Sequence, residues 1–149
     1  MRSYPGVRPG SDVTREMTDL EQLQARIPGY ADYANADARH QVDKQMRAWL
    51  GEALLVARDR LAPAGPLGER VDGLILRCEF SDQRVIRAAD HARFDPDLVD
   101  RVHVLDLGLV QVADRIRAAT GPDELAADLD EAARLLDERF GAISDAPSP

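Results

Sequence analysis

Cysteine, aromatic residues and long apolar runs are scarce or missing in this sequence. The single cysteine, Cys78, excludes an internal disulfide and any zinc site built from several cysteines. Aromatic residues make up only 5% of the chain, so a core has to be mostly aliphatic. No run of about 18 apolar residues is present, and we therefore expect no membrane insertion. The N-terminus carries Arg2 but no apolar secretory segment, which predicts a cytoplasmic protein.

The sequence also lacks an excess of basic residues. Its 27 acidic residues outnumber its 19 Lys and Arg residues, which gives a net charge of −8. Binding to a phosphate backbone depends on clustered positive charge. The charge balance therefore predicts no nucleic-acid partner, and leaves a basic protein, an apolar groove or a small ligand as open alternatives.

No catalytic or metal-binding motif is visible in the sequence. None of the three histidines, His40, His91 and His103, follows a glutamate by three residues, as a ferritin-like metal site requires. Cys78 falls on an apolar helical stripe, where the ordinary interpretation is a small hydrophobic side chain. Gly-rich phosphate-binding loops and the Gly-x-Ser-x-Gly motif are missing as well. We therefore expect no metal, no cofactor and no catalytic residue.

The residues that are abundant favour helices. Ala, Leu, Asp and Arg are common, whereas Thr, Ile and Tyr are scarce. Apolar residues recur at helical spacing in segments that Gly- and Pro-containing breaks separate. The segments predict a short helix from about Asp12 or Thr14 to Ile27, and longer helices over about 28–61, 67–89, 96–119 and 122–140.

This pattern predicts an all-α protein: an antiparallel four-helix bundle with a short additional N-terminal helix. We expect one domain over residues 1–149, with disordered tails at 1–11 and 144–149.

Several charged side chains fall within or beside the apolar stripes. Arg39, Asp43 and Arg47 follow one another at four-residue spacing, so the carboxylate can meet both guanidinium groups. Asp82 lies in the middle of the third stripe and Asp106 borders the fourth. A buried carboxylate has to be paired, neutralised or hydrated, and Arg39 is the natural partner for Asp82 or Asp106. The cluster is either a network that sets helix register or a pocket for a small charged ligand.

Four apolar residues lie off the stripes of the third and fourth helices. Single exposed apolar residues are ordinary, whereas four on consecutive helices can form one patch for a partner or for self-association. These interface candidates are Leu76, Phe80, Val104 and Leu107.

The fifth helix combines an apolar stripe with an acidic face. The stripe consists of Leu125, Leu129, Ala132, Ala133, Leu136 and Phe140. The other face carries seven acidic residues against Arg134 and Arg139. A solvated face is the main interpretation, and a surface for a basic partner is the alternative.

Part of the chain resembles an uncharacterised family of bacterial helical proteins. The resemblance depends on a Pro-Gly-Tyr-x-x-Tyr segment followed by Arg, Asp and Arg at helical spacing, and it covers roughly residues 28–116. Here the matching residues are Pro28, Gly29, Tyr30, Tyr33, Arg39, Asp43 and Arg47. The chain departs from the family's Gly- and Tyr-rich pattern at residues 80–87. The resemblance implies a helical fold and no reaction.

We therefore predict a non-enzymatic helical module that acts through protein contact, as an adaptor or a homo-oligomer. The alternative is a binder of a small charged ligand, or an enzyme, that uses the Arg/Asp cluster in the core of the bundle.

Overall fold

The computed structural model describes residues 17–79, 89–90 and 92–145, and within these ranges it contains α-helix and no strand. The all-α prediction is thereby confirmed. The α-helices are α1 (Asp19–Arg26), α2 (Arg39–Leu61), α3 (Gly65–Glu79), α4 (Pro96–Ala118) and α5 (Pro122–Ser144), with a short 3-10 helix at Ala36–Ala38.

Side-chain caps fix the starts of α1 and α4. The hydroxyl of Thr18 accepts from the Glu21 N–H at 3.1 Å, and the Glu21 carboxylate accepts from the Thr18 N–H at 2.8 Å, forming a capping box. Helix α1 therefore begins at Asp19, and the caps predicted at Asp12 and Thr14 lie outside the described residues. Helix α4 begins as predicted, because Asp95 accepts from the Leu98 N–H at 2.9 Å and Pro96 occupies the first turn.

The remaining boundaries differ from the prediction in places. Residues 28–38 form a turn and the 3-10 helix rather than the first turns of α2, since Gly29 adopts a φ of 79° that ordinary residues avoid. Helix α3 is described from Gly65 to Glu79, and its predicted continuation to 89 passes through residues outside the described ranges. Helix α5 continues beyond Phe140 to Ser144. The predicted N-terminal tail and residues 146–149 also lie outside.

The helices form one aliphatic core. Helix α2 packs against α3 and α4, α5 packs against α4 and α3, and the short α1 lies on α4. Most of the fully buried side chains are aliphatic, including Leu50, Leu109 and Leu129, and Tyr33 is the largest of the fully buried ones. In the described part of the chain, no helix is both long and apolar enough to cross a membrane.

Arginines of three helices neutralise much of the acidic face of α5. Arg70 and Arg77 of α3 form ion pairs with Asp130 and Asp137. Arg115 of α4 meets Asp128, and Arg134 of α5 itself meets Glu131 and Glu138. Because these carboxylates already have cationic partners, the structure favours the solvated-face interpretation over a surface for a basic partner.

Two glycines inside helices have different surroundings, so we expect their replacement by alanine to change stability differently. A Cβ at Gly73 of α3 would meet nothing within 4 Å, whereas a Cβ at Gly51 of α2 would lie 3.2 Å from Cys78 Cβ. Gly73→Ala should raise the free energy of unfolding by about 0.5–1 kcal/mol, because alanine favours helix. Gly51→Ala should forfeit that gain, because α2 and α3 would have to move apart. Urea unfolding of both variants measures the difference; equal stabilisation by both would contradict the close packing at Gly51.

Candidate functional site

A buried arginine joins three helices at the centre of the described residues. Arg139 of α5 is 6% exposed, and its Nε donates to Asp106 Oδ1 of α4 at 2.6 Å. Its Nη2 lies 3.5 Å from Asp106 Oδ2, and its Nη1 forms an ion pair with Asp43 Oδ1 of α2. Asp106 and Asp43 are 0% and 4% exposed. We call Asp43, Asp106 and Arg139 the buried ion cluster.

Two tyrosines from the segment before α2 cover this cluster. The Tyr30 hydroxyl donates to Asp106 Oδ2 at 2.7 Å. The ring of Tyr33 lies 5.2 Å from the guanidinium carbon of Arg139, within cation–π distance. Both tyrosines are buried. The chain turns at Gly29, where the Tyr30 N–H donates to the Ile27 carbonyl. This turn places both tyrosines against the side chains of Asp106 and Arg139.

The charges of the cluster do not cancel fully. Two carboxylates face one guanidinium, which leaves an excess of one negative charge when both are ionised. Burial opposes the charged form of Arg139, but Asp106 and Asp43 outweigh it and raise its pKa well above the ordinary value. Burial, together with the negative charge of Asp106, raises the pKa of Tyr30. Burial also raises the pKa of Tyr33, despite the opposing charge of Arg139.

Hydrogen bonding in the cluster is incomplete. The Nη1 of Arg139 contacts Asp43 Oδ1 as an ion pair, but neither Asp43 oxygen accepts a hydrogen bond of good geometry from the described residues. The Tyr33 hydroxyl likewise has no partner there. Asp43 therefore depends on its electrostatic attraction to Arg139, and removing the guanidinium would leave it buried without compensation.

The structure brings together two of the five predicted cluster residues. Asp43 and Asp106 meet, but through Arg139, which the sequence pattern placed on the outer face of α5. Asp82 lies outside the described residues.

Among the described residues, Arg39 and Arg47 donate to backbone carbonyls and not to carboxylates. The Nε of Arg39 donates to the Tyr33 carbonyl at 2.8 Å, and its guanidinium carbon lies 3.8 Å from the centre of the Phe94 ring. Arg47 donates to the Cys78 carbonyl at 3.1 Å. The predicted pairings of Asp43 with Arg39 and Arg47, and of Arg39 with Asp106, are therefore wrong. The two arginines fix chain segments that flank the cluster.

Helical spacing contains the signal that identifies Arg139. The buried residues of α5 are Leu125, Leu129, Ala132, Leu135, Arg139 and Ile143. Arg139 lies seven residues after Ala132 and four before Ile143, in phase with the buried face. Because Arg139 is charged and the neighbouring Phe140 is apolar, the sequence pattern assigns Phe140 rather than Arg139 to the buried face.

The interface candidates lie on separate sides of the molecule. Leu76 of α3 is 53% exposed and Val104 of α4 is 54% exposed. Because α3 and α4 each pack mainly on α2 and α5 rather than on each other, these side chains do not form one patch. Leu107 is partly buried beside Val104, and Phe80 lies outside the described residues. The expectation of one shared patch is therefore corrected to two separate surfaces.

Reactive groups and metal sites are not evident in the described part of the chain. Burial raises the pKa of the Cys78 thiol to about 11, more than the nearby Arg47 lowers it, so the thiol stays protonated at neutral pH. No group of three or more His, Cys, Asp or Glu residues within residues 17–79, 89–90 and 92–145 is arranged to hold a metal ion.

Comparison with protein-family models, curated proteins and solved structures gives no match to this chain. Its function is therefore inferred from its own residues.

Replacing Arg139 tests the dependence of the fold on the buried ion cluster. Arg139→Met should lower the free energy of unfolding by about 3–5 kcal/mol, because two buried carboxylates lose their counter-charge. Arg134→Met on the same helix removes an exposed guanidinium and should change stability little. Urea unfolding measures both. A small effect of Arg139→Met, equal to that of Arg134→Met, would contradict the role of the cluster.

The tyrosines make a prediction for alkaline pH. Their folded-state pKa values are raised, so above about pH 10 the unfolded chain loses tyrosine protons that the folded chain keeps. The free energy of unfolding should therefore fall as the pH rises above about 10. At alkaline pH values at which the chain is still folded, Tyr30→Phe and Tyr33→Phe should show the same tyrosinate absorbance as the original chain, because the replaced tyrosine stays protonated there. A reduced amplitude in either variant would show that the replaced tyrosine ionises in the folded state.

Proposed function

We propose that this protein is a non-enzymatic helical interaction module that self-associates through the groove between α4 and α5. The exposed Val104 supports this proposal most directly. Its side chain is 54% exposed at the mouth of a groove of about 390 Å³, next to the partly buried Leu107. Gly108 and Leu135 also line the groove, and a Cβ on Gly108 would lie 3.3 Å from Leu135 Cδ1.

The rim of this groove favours a second copy of the chain as the occupant. Arg115 and Arg134 line it together with Glu131 and Glu138, so both signs of charge occur within one small surface. In a two-fold dimer the same surface is used by both subunits. Because Arg134 already pairs with Glu131 and Glu138 within one chain, the rim carries little net charge of one sign, and two copies can approach without strong repulsion. A surface for a strongly basic or strongly acidic partner would carry one sign.

The buried ion cluster supports a structural role rather than ligand binding. Its charged residues are at most 6% exposed, and Tyr30 and Tyr33 cover them. Three pockets formed by described residues, of about 520, 390 and 580 Å³, are lined by other side chains. The alternative of a charged ligand or substrate bound at Asp43 and Asp106 requires the tyrosines to move away, and nothing in the geometry favours that.

We also propose the antiparallel four-helix arrangement, with consecutive long helices running in opposite directions. Cross-helix contacts support it. Arg58, in the last turn of α2, meets Asp72 in the middle of α3, and Arg115, in the last turn of α4, meets Asp128 in the second turn of α5. Farther from these connections, Arg47 of α2 meets Cys78 of α3. In this arrangement α2 and α4 lie side by side.

The family resemblance and a cytoplasmic location remain parts of the proposal. Four residues of the proposed signature converge near the cluster: Tyr30 and Tyr33 cover it, Asp43 belongs to it, and Arg39 holds the Tyr33 carbonyl. These contacts support a common structural role for the four signature residues.

A matched pair of variants tests self-association. Val104→Glu places a charge in the groove, whereas Leu76→Glu places the same charge at an equally exposed position on α3. Sedimentation equilibrium should show a dimer for the original chain and for Leu76→Glu, and a dissociation constant at least about tenfold weaker for Val104→Glu, since a buried unpaired charge opposes association. A monomeric original chain, or equal weakening by both variants, would contradict the proposed interface.

A further inference from the structure

Most of the exposed residues of α4 form one continuous stripe along the helix. They recur at intervals of three or four residues, which places them on one side of an α-helix. The central part of this stripe lines the α4/α5 groove. The stripe consists of Asp97, Asp100, Val104, Gln111, Arg115 and Ala118, with the half-buried Leu107 and Gly108 at its centre.

The positions of the stripe are symmetric about the midpoint between Leu107 and Gly108. Val104 and Gln111, for example, are equally far from this midpoint. Two antiparallel copies of α4 related by a two-fold axis at the midpoint would therefore place each stripe residue opposite another stripe residue. In this arrangement Leu107 of one copy lies over Gly108 of the other, which has no side chain to obstruct it.

The two ends of the stripe differ in charge. The N-terminal end carries Asp97 and Asp100, and the C-terminal end carries Arg115. Asp100 and Arg115 are also equally far from the midpoint, so antiparallel copies bring the Asp100 carboxylate of each chain toward the Arg115 guanidinium of the other. Parallel copies would instead place like charges together, which opposes association.

Contacts within the chain leave the Arg115 guanidinium able to meet a second carboxylate. Its Nε contacts Asp128 at 3.3 Å, but the side chain is still 52% exposed, and a guanidinium has five N–H donors. Arg101, next to Asp100 in the chain, lies on the edge of the stripe that faces α5, where it meets Glu138 at 4.0 Å. The acidic and basic ends of the stripe therefore remain distinct.

We propose that the α4/α5 groove is occupied by α4 of a second copy in antiparallel orientation, with Asp100 of each chain paired to Arg115 of the other. The orientation rests on the proposed self-association and assigns a register and two charged residues to that interface. Exposed ion pairs contribute little affinity, so burial of Val104 and Leu107 stabilises the dimer. The charged pairs select the antiparallel orientation over the parallel one.

Reversing the charge at each end of the stripe tests the register by sedimentation equilibrium. Asp100→Arg and Arg115→Asp should each weaken dimerisation about tenfold, because each variant places two pairs of like charges across the two-fold axis. The double variant Asp100→Arg/Arg115→Asp should restore the dissociation constant of the original chain to within about threefold. Within one chain the two residues are 15 positions apart on α4, roughly 22 Å along its axis and beyond the screening length of physiological salt. Restoration therefore reports a contact between chains.

Arg70→Asp is the matched control for these charge reversals. Arg70 also forms an ion pair with an exposed carboxylate, Asp130, but it lies on α3 outside the groove. This variant should leave the dissociation constant unchanged. Circular dichroism checks that each variant is folded.

Pulsed electron paramagnetic resonance measures the direction of the two helices independently. With Cys78→Ala as the background, a spin label is attached at Ala118→Cys, an exposed position at the end of α4. In the antiparallel dimer the two labelled positions should be roughly 30 Å apart along the helices, because each lies about ten residues from the axis. In a parallel dimer they would be separated by little more than the distance between packed helices, about 10 Å.

Two kinds of negative result can be told apart. The antiparallel register is overturned, and the proposed self-association stands, if Val104→Glu weakens the dimer but the double variant is no tighter than the single variants. Close spin labels, or equal weakening by Arg70→Asp, would overturn the register as well. A monomeric original chain would contradict the self-association itself.

Discussion

The attraction between Arg139 and the carboxylates of Asp43 and Asp106 is the interaction on which the rest of the described structure depends. It connects α2, α4 and α5 at one buried position, where water does not compete. Burying three charges has a large desolvation cost, so this arrangement adds less to stability than an apolar core would. Its consequence is specificity: a sliding or rotated helix would separate the charges, and an unpaired buried carboxylate is far less favourable than a paired one. The cluster therefore restricts the aliphatic core to one helix register.

The segment before α2 completes that restriction. Gly29 turns the chain, Tyr30 donates to Asp106, and Arg39 holds the Tyr33 carbonyl so that the tyrosine ring stays over Arg139. These side chains exclude solvent from the cluster and satisfy part of its hydrogen bonding. A reactive or ligand-binding Arg/Asp site would need an opening here. The closed cover argues against ligand chemistry at the cluster, and the self-association that we propose uses a different surface, the α4/α5 groove.

Periodicity predicted the helical class and the positions of the long helices, because an aliphatic stripe is a local property of the sequence. It also predicted that Asp43 and Asp106 face the core. Their partner could not be predicted in the same way, since pairing depends on which helices are neighbours and on how each is rotated. Arg139 is in phase with Ala132 and Ile143, but an arginine beside acidic residues on a surface-like helix indicates solvent exposure. The prediction of helix over 28–38 is wrong, because Gly29 turns the chain and the two tyrosines contact α4 and α5 instead of continuing the stripe of α2.

Two variants test whether the buried ion cluster holds the helices in register. Replacing Asp43 and Asp106 by leucine together with Arg139 by methionine removes every charge of the cluster, whereas Arg139→Met alone leaves both carboxylates. The free energy of unfolding of these two variants, measured in urea, is the most direct test. A register-setting ion cluster predicts that the triple variant is the more stable of the two, by about 1–4 kcal/mol, because no charge remains buried without a partner. A triple variant no more stable than Arg139→Met would contradict this account.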